Sequence, residues 1–290
     1  MITLTPPHNR ATGPAPDASA RTGPRAAGLP APTAHELLAP CHALVIGVEG
    51  VITDTTRIHA AAWRRVFDAF LRQAEEPHPR TVRPFDPETD YRRYFQGRSR
   101  ADGVRAFLAA RGLGPPGEPR APSGRDHRDE DGESVVRALA IQEDCLFGAY
   151  VGDHGVPVWP DSLRLVGALR RHARPVAAVS ASHHAVALLD RAGVTHRFDA
   201  LVDGTERTRI QSGGGPDPAL LLEAARRLRA TPARTAVVVA APVWVTAAGR
   251  GGFGTVIGVD RSGRADHAVE LYERGAAHVV RGLGELVPEG

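Results

Sequence analysis

The chain has no lysine: across 290 residues, all 36 basic side chains are arginine. That absence excludes a Schiff base, and it excludes a compact ammonium clamp on a phosphate. Cysteine is almost as scarce. Cys41 and Cys145 are too few for a disulfide framework, so a reducing cytoplasm is the expected location. No apolar run approaches the ~18 residues of a membrane span, and no membrane partner is expected. Zinc-finger spacings and aromatic–basic RNA motifs are missing too. A formal charge of +3 and a pI of 9.3 therefore do not point to nucleic acid. The arginines sit instead in stretches such as Arg226-Arg227-Leu228-Arg229, which read as a solvated helix face.

Residues 1–39 also lack apolar periodicity. They are rich in Pro, Ala, Gly, Thr and Arg, bury too little to offset their ordering entropy, and are expected to be a disordered tail. The tail has no apolar core of a secretory signal.

What is present begins at Ala43–Val48, a continuous apolar run bounded by turn signals, as for a buried parallel strand. Ile58–Leu71 and Ala101–Arg111 carry helical spacing, and residues 78–99 between them are broken by prolines. Residues 112–133 read as a long exposed loop, and Ser134–Val151 as a helix. From Pro160 the chain alternates strictly. Helices at Asp161–Arg171, Ala185–Ala192, Pro218–Ala230, Val243–Arg250 and His267–Arg274 alternate with strands at Pro175–Ser180, Ala200–Val202, Thr235–Ala240, Thr255–Val259 and Ala277–Val280. Such alternation predicts an α/β fold, a doubly wound, Rossmann-like parallel sheet with an inserted α-helical cap domain. The expected organisation is a core of 40–55 and 152–290 with a cap insert of 56–151.

Leu44–Trp63, with Tyr91-Arg92-Arg93-Tyr94 and Gly103–Leu108, resembles the haloacid dehalogenase superfamily in its β-phosphoglucomutase-like branch with a helical cap. Gly155–Ser162, Val179–Ser182, Pro216-Asp217-Pro218 and Gly249–Gly254 extend the resemblance over about residues 41 to 285. It implies magnesium-assisted phosphoryl transfer through an aspartyl-phosphate. That chemistry needs a carboxylate nucleophile, a second carboxylate two residues on, a cation for the phosphoryl group and further acids for the metal.

Matched position by position, the nucleophile, the lysine and the magnesium acids are missing, while the acid/base position keeps its charge on a longer side chain and the hydroxyl position survives as Ser180. The nucleophile position falls on Gly47, the acid/base position on Glu49, the lysine position on Gly215, and the magnesium acids on Ala240 and Ala241. With those ligands missing, no metal and no cofactor is expected. Features that remain for a phosphate or other ligand are Ser180 with Ala181, the cap arginine Arg100, and Thr55 and His59. Ser180 has two readings, a phosphate contact or a helix cap. Gln142-Glu143-Asp144 replaces an Arg-Lys-Asn run of the branch and reads as an exposed acidic face. His59 reads as a packed or helix-surface histidine, Cys145 as a small packed residue, Gly213–Gly215 as a flexible loop, and the adjacent His183 and His184 as no shared metal site. Taken together, these residues predict a pseudoenzyme that binds a phosphorylated small molecule or a protein partner. The alternative is an active hydrolase or phosphotransferase on a small phosphorylated sugar that uses a substitute acid such as Glu49; a third is a metal-independent activity in the same cleft.

Overall fold

Six short apolar stretches pair in parallel into one sheet. They are β1 (Ala43–Gly47), β2 (Val176–Val179), β3 (Ala200–Val202), β4 (Thr235–Val239), β5 (Thr255–Val259) and β6 (His278–Val280), in the order β3-β2-β1-β4-β5-β6. This computed structural model describes residues 34–74, 83–113, 127–206 and 217–287.

Side chains alternate across a strand, so a strand buried on both faces must be apolar at every position. Strand β1 shows this directly. Leu44 and Ile46 pack with Leu165, Val176, Val238 and Ile257 on one face, and Val45 packs with Leu221, Val237 and Val239 on the other. Val45 and Ile46 are fully excluded from solvent, and each such side chain contributes about 1.5–3 kcal/mol. Helices cover both faces. Helices α5 (Pro160–Arg171) and α6 (Ala185–Arg191) seal the first, while α7 (Ala219–Arg227) and α8 (Pro242–Arg250) seal the second. A further helix, α9 (Ala265–Glu273), lies between β5 and β6. The doubly wound architecture expected from the alternation is the one observed.

Chain order reverses at β1, which has β2 on one side and β4 on the other. Beyond the carboxyl ends of such strands an open sheet leaves a crevice.

Between β1 and α5 the described residues form helices only: α2 (Thr56–Ala74), a single π-helical turn (Tyr91–Phe95), α3 (Arg100–Ala110) and α4 (His127–His154). This insert has its own apolar centre, built on Trp63, Phe67, Phe85, Phe95 and Phe107. Ring centroids there lie 5.4 Å apart for both Trp63–Phe67 and Phe67–Phe85, within the range of favourable aromatic pairs. Ser99 caps α3 by accepting the Asp102 N–H at 3.2 Å. No helix among the described residues is long and apolar enough to cross a membrane.

Several expectations are corrected. The stretch 112–133 is not all loop, because α4 already begins at His127; low apolar content argued against burial, and helicity needs no burial when good helix formers such as Arg and Glu are present. The last residues of the expected tail form a short helix, α1 (Ala34–Leu38), because Leu38 reaches the sheet's first core. The rest of the tail, 1–33, and Gly213–Gly215 lie outside the described residues. Cys145 is exposed on α4 rather than packed, and Glu143 is fully buried rather than part of an exposed acidic face.

Candidate functional site

Strand β1 ends at Gly47, and the chain turns at once. The Ile52 and Thr53 N–H groups both donate to the Val48 carbonyl, at 2.9 and 3.0 Å, and the Gly50 N–H donates to Thr53 at 2.9 Å. Gly50 has φ +75, and a Cβ there would stand 3.2 Å from both Ala240 Cβ and Thr56 Oγ1. Only glycine takes that conformation cheaply so close to its neighbours. Gly47 is different. A Cβ there would lie 3.5 Å from Val239 and 3.6 Å from Val51, which is ordinary contact, so the backbone would accept a side chain.

Glu49 follows in the turn. The Ser180 hydroxyl, at the end of β2, lies 2.8 and 2.9 Å from the two Glu49 carboxylate oxygens and donates to them, and Ser180 Oγ accepts the Ser182 N–H at 2.9 Å. Both readings of Ser180 thus meet a third outcome, a carboxylate partner within the chain. Thr55 is buried and shares a 3.0 Å hydrogen bond with Thr53 beneath the turn.

Across the crevice the insert meets the core. Gln96 Nε2 donates to the Ala240 carbonyl at 3.3 Å, and His267 Nε2 lies 3.1 Å from that same oxygen. Gly97, with φ +74, packs so tightly that a Cβ would fall 2.7 Å from Ala241, Val243 and Trp244. Further bridges join Arg92 to Asp266 at 3.0 Å, Arg264 to Glu88 at 2.7 Å and Asp144 to His184 at 3.1 Å.

The polar centre of the insert faces this crevice. Glu143 receives Arg100 Nε at 2.5 Å and pairs with His59 Nδ1 at 2.8 Å. His59 stacks on Phe147 at 3.8 Å, and Arg100 also lies 3.2 Å from Asp144. Burial pushes the Glu143 carboxyl up, but the hydrogen bonds and charges of His59 and Arg100 outweigh it and hold the carboxyl below its ordinary value. Burial pushes the Tyr91 phenol well above its ordinary range, and the Glu49 and Glu143 charges push it further, so it stays protonated.

The result is a cavity of about 470 Å³ between sheet and insert. Gly47, Glu49, Ala181, Ala240 and Ala241 line its core side, and His59 and Arg100 its insert side. Most of the sequence candidates therefore converge. Ser180 sits beneath Glu49 instead of lining the cavity, Thr55 lies below the turn, and Gly215 is outside the described residues. Sequence reasoning missed Trp63, Tyr91, Gln96 and Trp244, which also line the cavity. Gln96-Gly97 left a signal, a glycine beside a polar residue in the proline-broken stretch; the aromatics read only as core.

A sheet of this order, with a helical insert after β1 and a cavity beneath it, defines a doubly wound α/β protein with a cleft at its topological switch point. A family model for haloacid dehalogenase-like hydrolases matches residues 41–239. A Mycobacterium tuberculosis protein named β-phosphoglucomutase is 34% identical over 246 residues, covering 84% of this chain and 91% of its own. Among solved structures, β-phosphoglucomutase from Clostridium difficile aligns with a TM-score of 0.62 at 18% identity, over 85% of this chain and 93% of that one. A haloacid dehalogenase family hydrolase from Deinococcus radiodurans, solved with bound phosphate and sodium, aligns at 0.57 and 26% identity over 86% and 94%. The chain belongs to the haloacid dehalogenase-like hydrolases, in their β-phosphoglucomutase-like branch.

Membership overturns the expectation that no cofactor is involved, because this family points to magnesium. The side chains at the strand ends do not fit that ion. Magnesium takes hard oxygen donors in a near-octahedral shell. Gly47, Ala240 and Ala241 offer no side-chain oxygen, and the Glu49 carboxylate accepts from Ser180. Family and donor set disagree in this chain.

Proposed function

We propose that this chain binds a small ligand, a phosphorylated sugar by the logic of its family, in the roofed cleft without transferring a phosphoryl group. The observation that carries the reading is Gly47. It ends the central strand at the cavity, where an attacking carboxylate would have to stand, and has no atom to attack with. Losing one optimised electrostatic partner costs roughly 10²–10³ in rate, whereas losing the nucleophile removes the covalent route itself. Glu49 is a poor substitute: its side chain is one methylene longer than aspartate and both of its oxygens accept the Ser180 proton. Arg100 is engaged by Glu143 and Asp144, and Arg98 and Arg137 are further lining cations for a ligand's negative group.

The second reading is an active phosphomutase or phosphatase that uses Glu49. It is favoured by 34% identity to relatives named β-phosphoglucomutase. Purified protein assayed with magnesium against p-nitrophenyl phosphate and β-glucose 1-phosphate separates the two. The binding reading expects a thermal shift with a sugar phosphate and no turnover. Turnover that disappears in Glu49→Gln establishes the second reading and removes the first.

A further inference from the structure

A second cavity, of about 660 Å³, lies on the other side of the Gln96–Arg98 segment, between the insert and helices α8 and α9. Its charge is lopsided. Arg83, Arg92, Arg93 and Arg98 enter from the insert and Arg274 from the C-cap of α9, while the lining carboxylates are Asp90 and Glu270 alone. Three positive charges are in excess on this lining. The nearby carboxylates are already shared. Asp90 takes Arg83 at 2.9 Å and Arg111 at 2.8 Å. Glu270 stands 4.0 Å from Arg92 and 3.7 Å from Arg274, and Asp266, outside the lining, takes both Arg92 and Arg264. Arg93 lies over the Tyr94 ring, at 5.4 Å, and among the described residues no carboxylate pairs with Arg93 or Arg98.

A concave surface lined by one sign of charge focuses its field and raises the local concentration of the opposite ion. Guanidinium forks match the paired oxygens of a phosphoryl group, and they keep their charge at any working pH. We propose that this crevice is a binding site for a small phosphorylated anion carrying at least two negative charges. It is distinct from the roofed cleft, although the two share Gln96 and Arg98. Because Arg93 and Arg98 belong to the insert and Arg274 to the core, the bound anion ties the two together. Gln96 and Arg98 line both cavities, so the tie acts on the segment that closes over Ala240.

The test is isothermal titration of the full chain with pyrophosphate at low ionic strength, in the parent, in Arg93→Gln/Arg274→Gln and in Arg137→Gln, which changes an exposed cation lining the roofed cleft but not the crevice. Both crevice arginines are exposed, so the double variant is expected to keep the parent's melting temperature. The expected result is saturable binding that weakens with salt, falls tenfold or more in the double variant and is unchanged in Arg137→Gln. Absence of binding by the parent overturns the site. So does affinity retained in the double variant, or lost in Arg137→Gln, which would move the anion into the cleft. Citrate binding as tightly as pyrophosphate would overturn the assignment to phosphoryl groups.

Discussion

The two walls of the cleft have been treated in opposite ways. The sheet side presents Gly47, Ala240 and Ala241, small residues without charge, and one carboxylate satisfied by a serine. The insert side is dense with charge: His59, Glu143, Arg100 and Asp144 within one network. A charge in a low-dielectric interior survives only with partners. The sheet side meets that rule by carrying small uncharged residues. The insert meets it by pairing its charges with one another. One wall thus has few charges to place, and the other neutralises its charges internally.

Breaking the paired wall should have the largest effect. Glu143→Ala leaves Arg100 and His59 facing each other without their common carboxylate, and urea unfolding should show a loss of about 3–5 kcal/mol. Next is the contact between the walls. Gly97→Ala must accept φ +74 and a Cβ 2.7 Å from Ala241, and is expected to cost about 1–3 kcal/mol by the same measurement, with faster proteolysis of the insert. The sheet wall can be rebuilt with less disturbance. A Cβ at Gly47 meets only ordinary contacts, so Gly47→Asp with Ala240→Asp should fold and bind magnesium at least tenfold more tightly than the parent, about 1.4 kcal/mol by titration calorimetry. The smallest effect concerns His267. Burial depresses its pKa, Asp260 opposing and Arg92 assisting. The unfolded chain therefore binds the proton more readily, so the contribution of this group is complete above its ordinary value of about 6.5 and is lost as pH falls. Melting temperature should drop modestly from pH 7 to pH 5, and His267→Asn should flatten that part of the profile.

The core was legible because its signal is repetitive. Each apolar run, such as Thr235–Val239, is followed by a helix with one apolar face, and chirality leaves few ways to wind such units. Gly47, Glu49, Ala240 and Ala241 could be brought to one place from sequence because they follow strand ends. Glu143 could not be read correctly. Its neighbours Gln142 and Asp144 are polar, and nothing local reveals that His59, 84 positions away, and Arg100, 43 away, will converge on it. Gln96 and Trp244 escaped for a similar reason, since their role depends on how insert and sheet meet, a distance in space that no periodicity encodes. The helix from His127 was missed because burial was taken as a condition for helicity.

Gly50 carries a wider consequence. The backbone of the turn it permits follows a left-handed dihedral and main-chain hydrogen bonds that involve no atom of the Gly47 or Ala240 side positions. Backbone shape and side-chain chemistry are therefore separable at this loop. A side chain at Gly47 meets only ordinary contacts, so it can be gained or lost while the loop that presents it keeps its course.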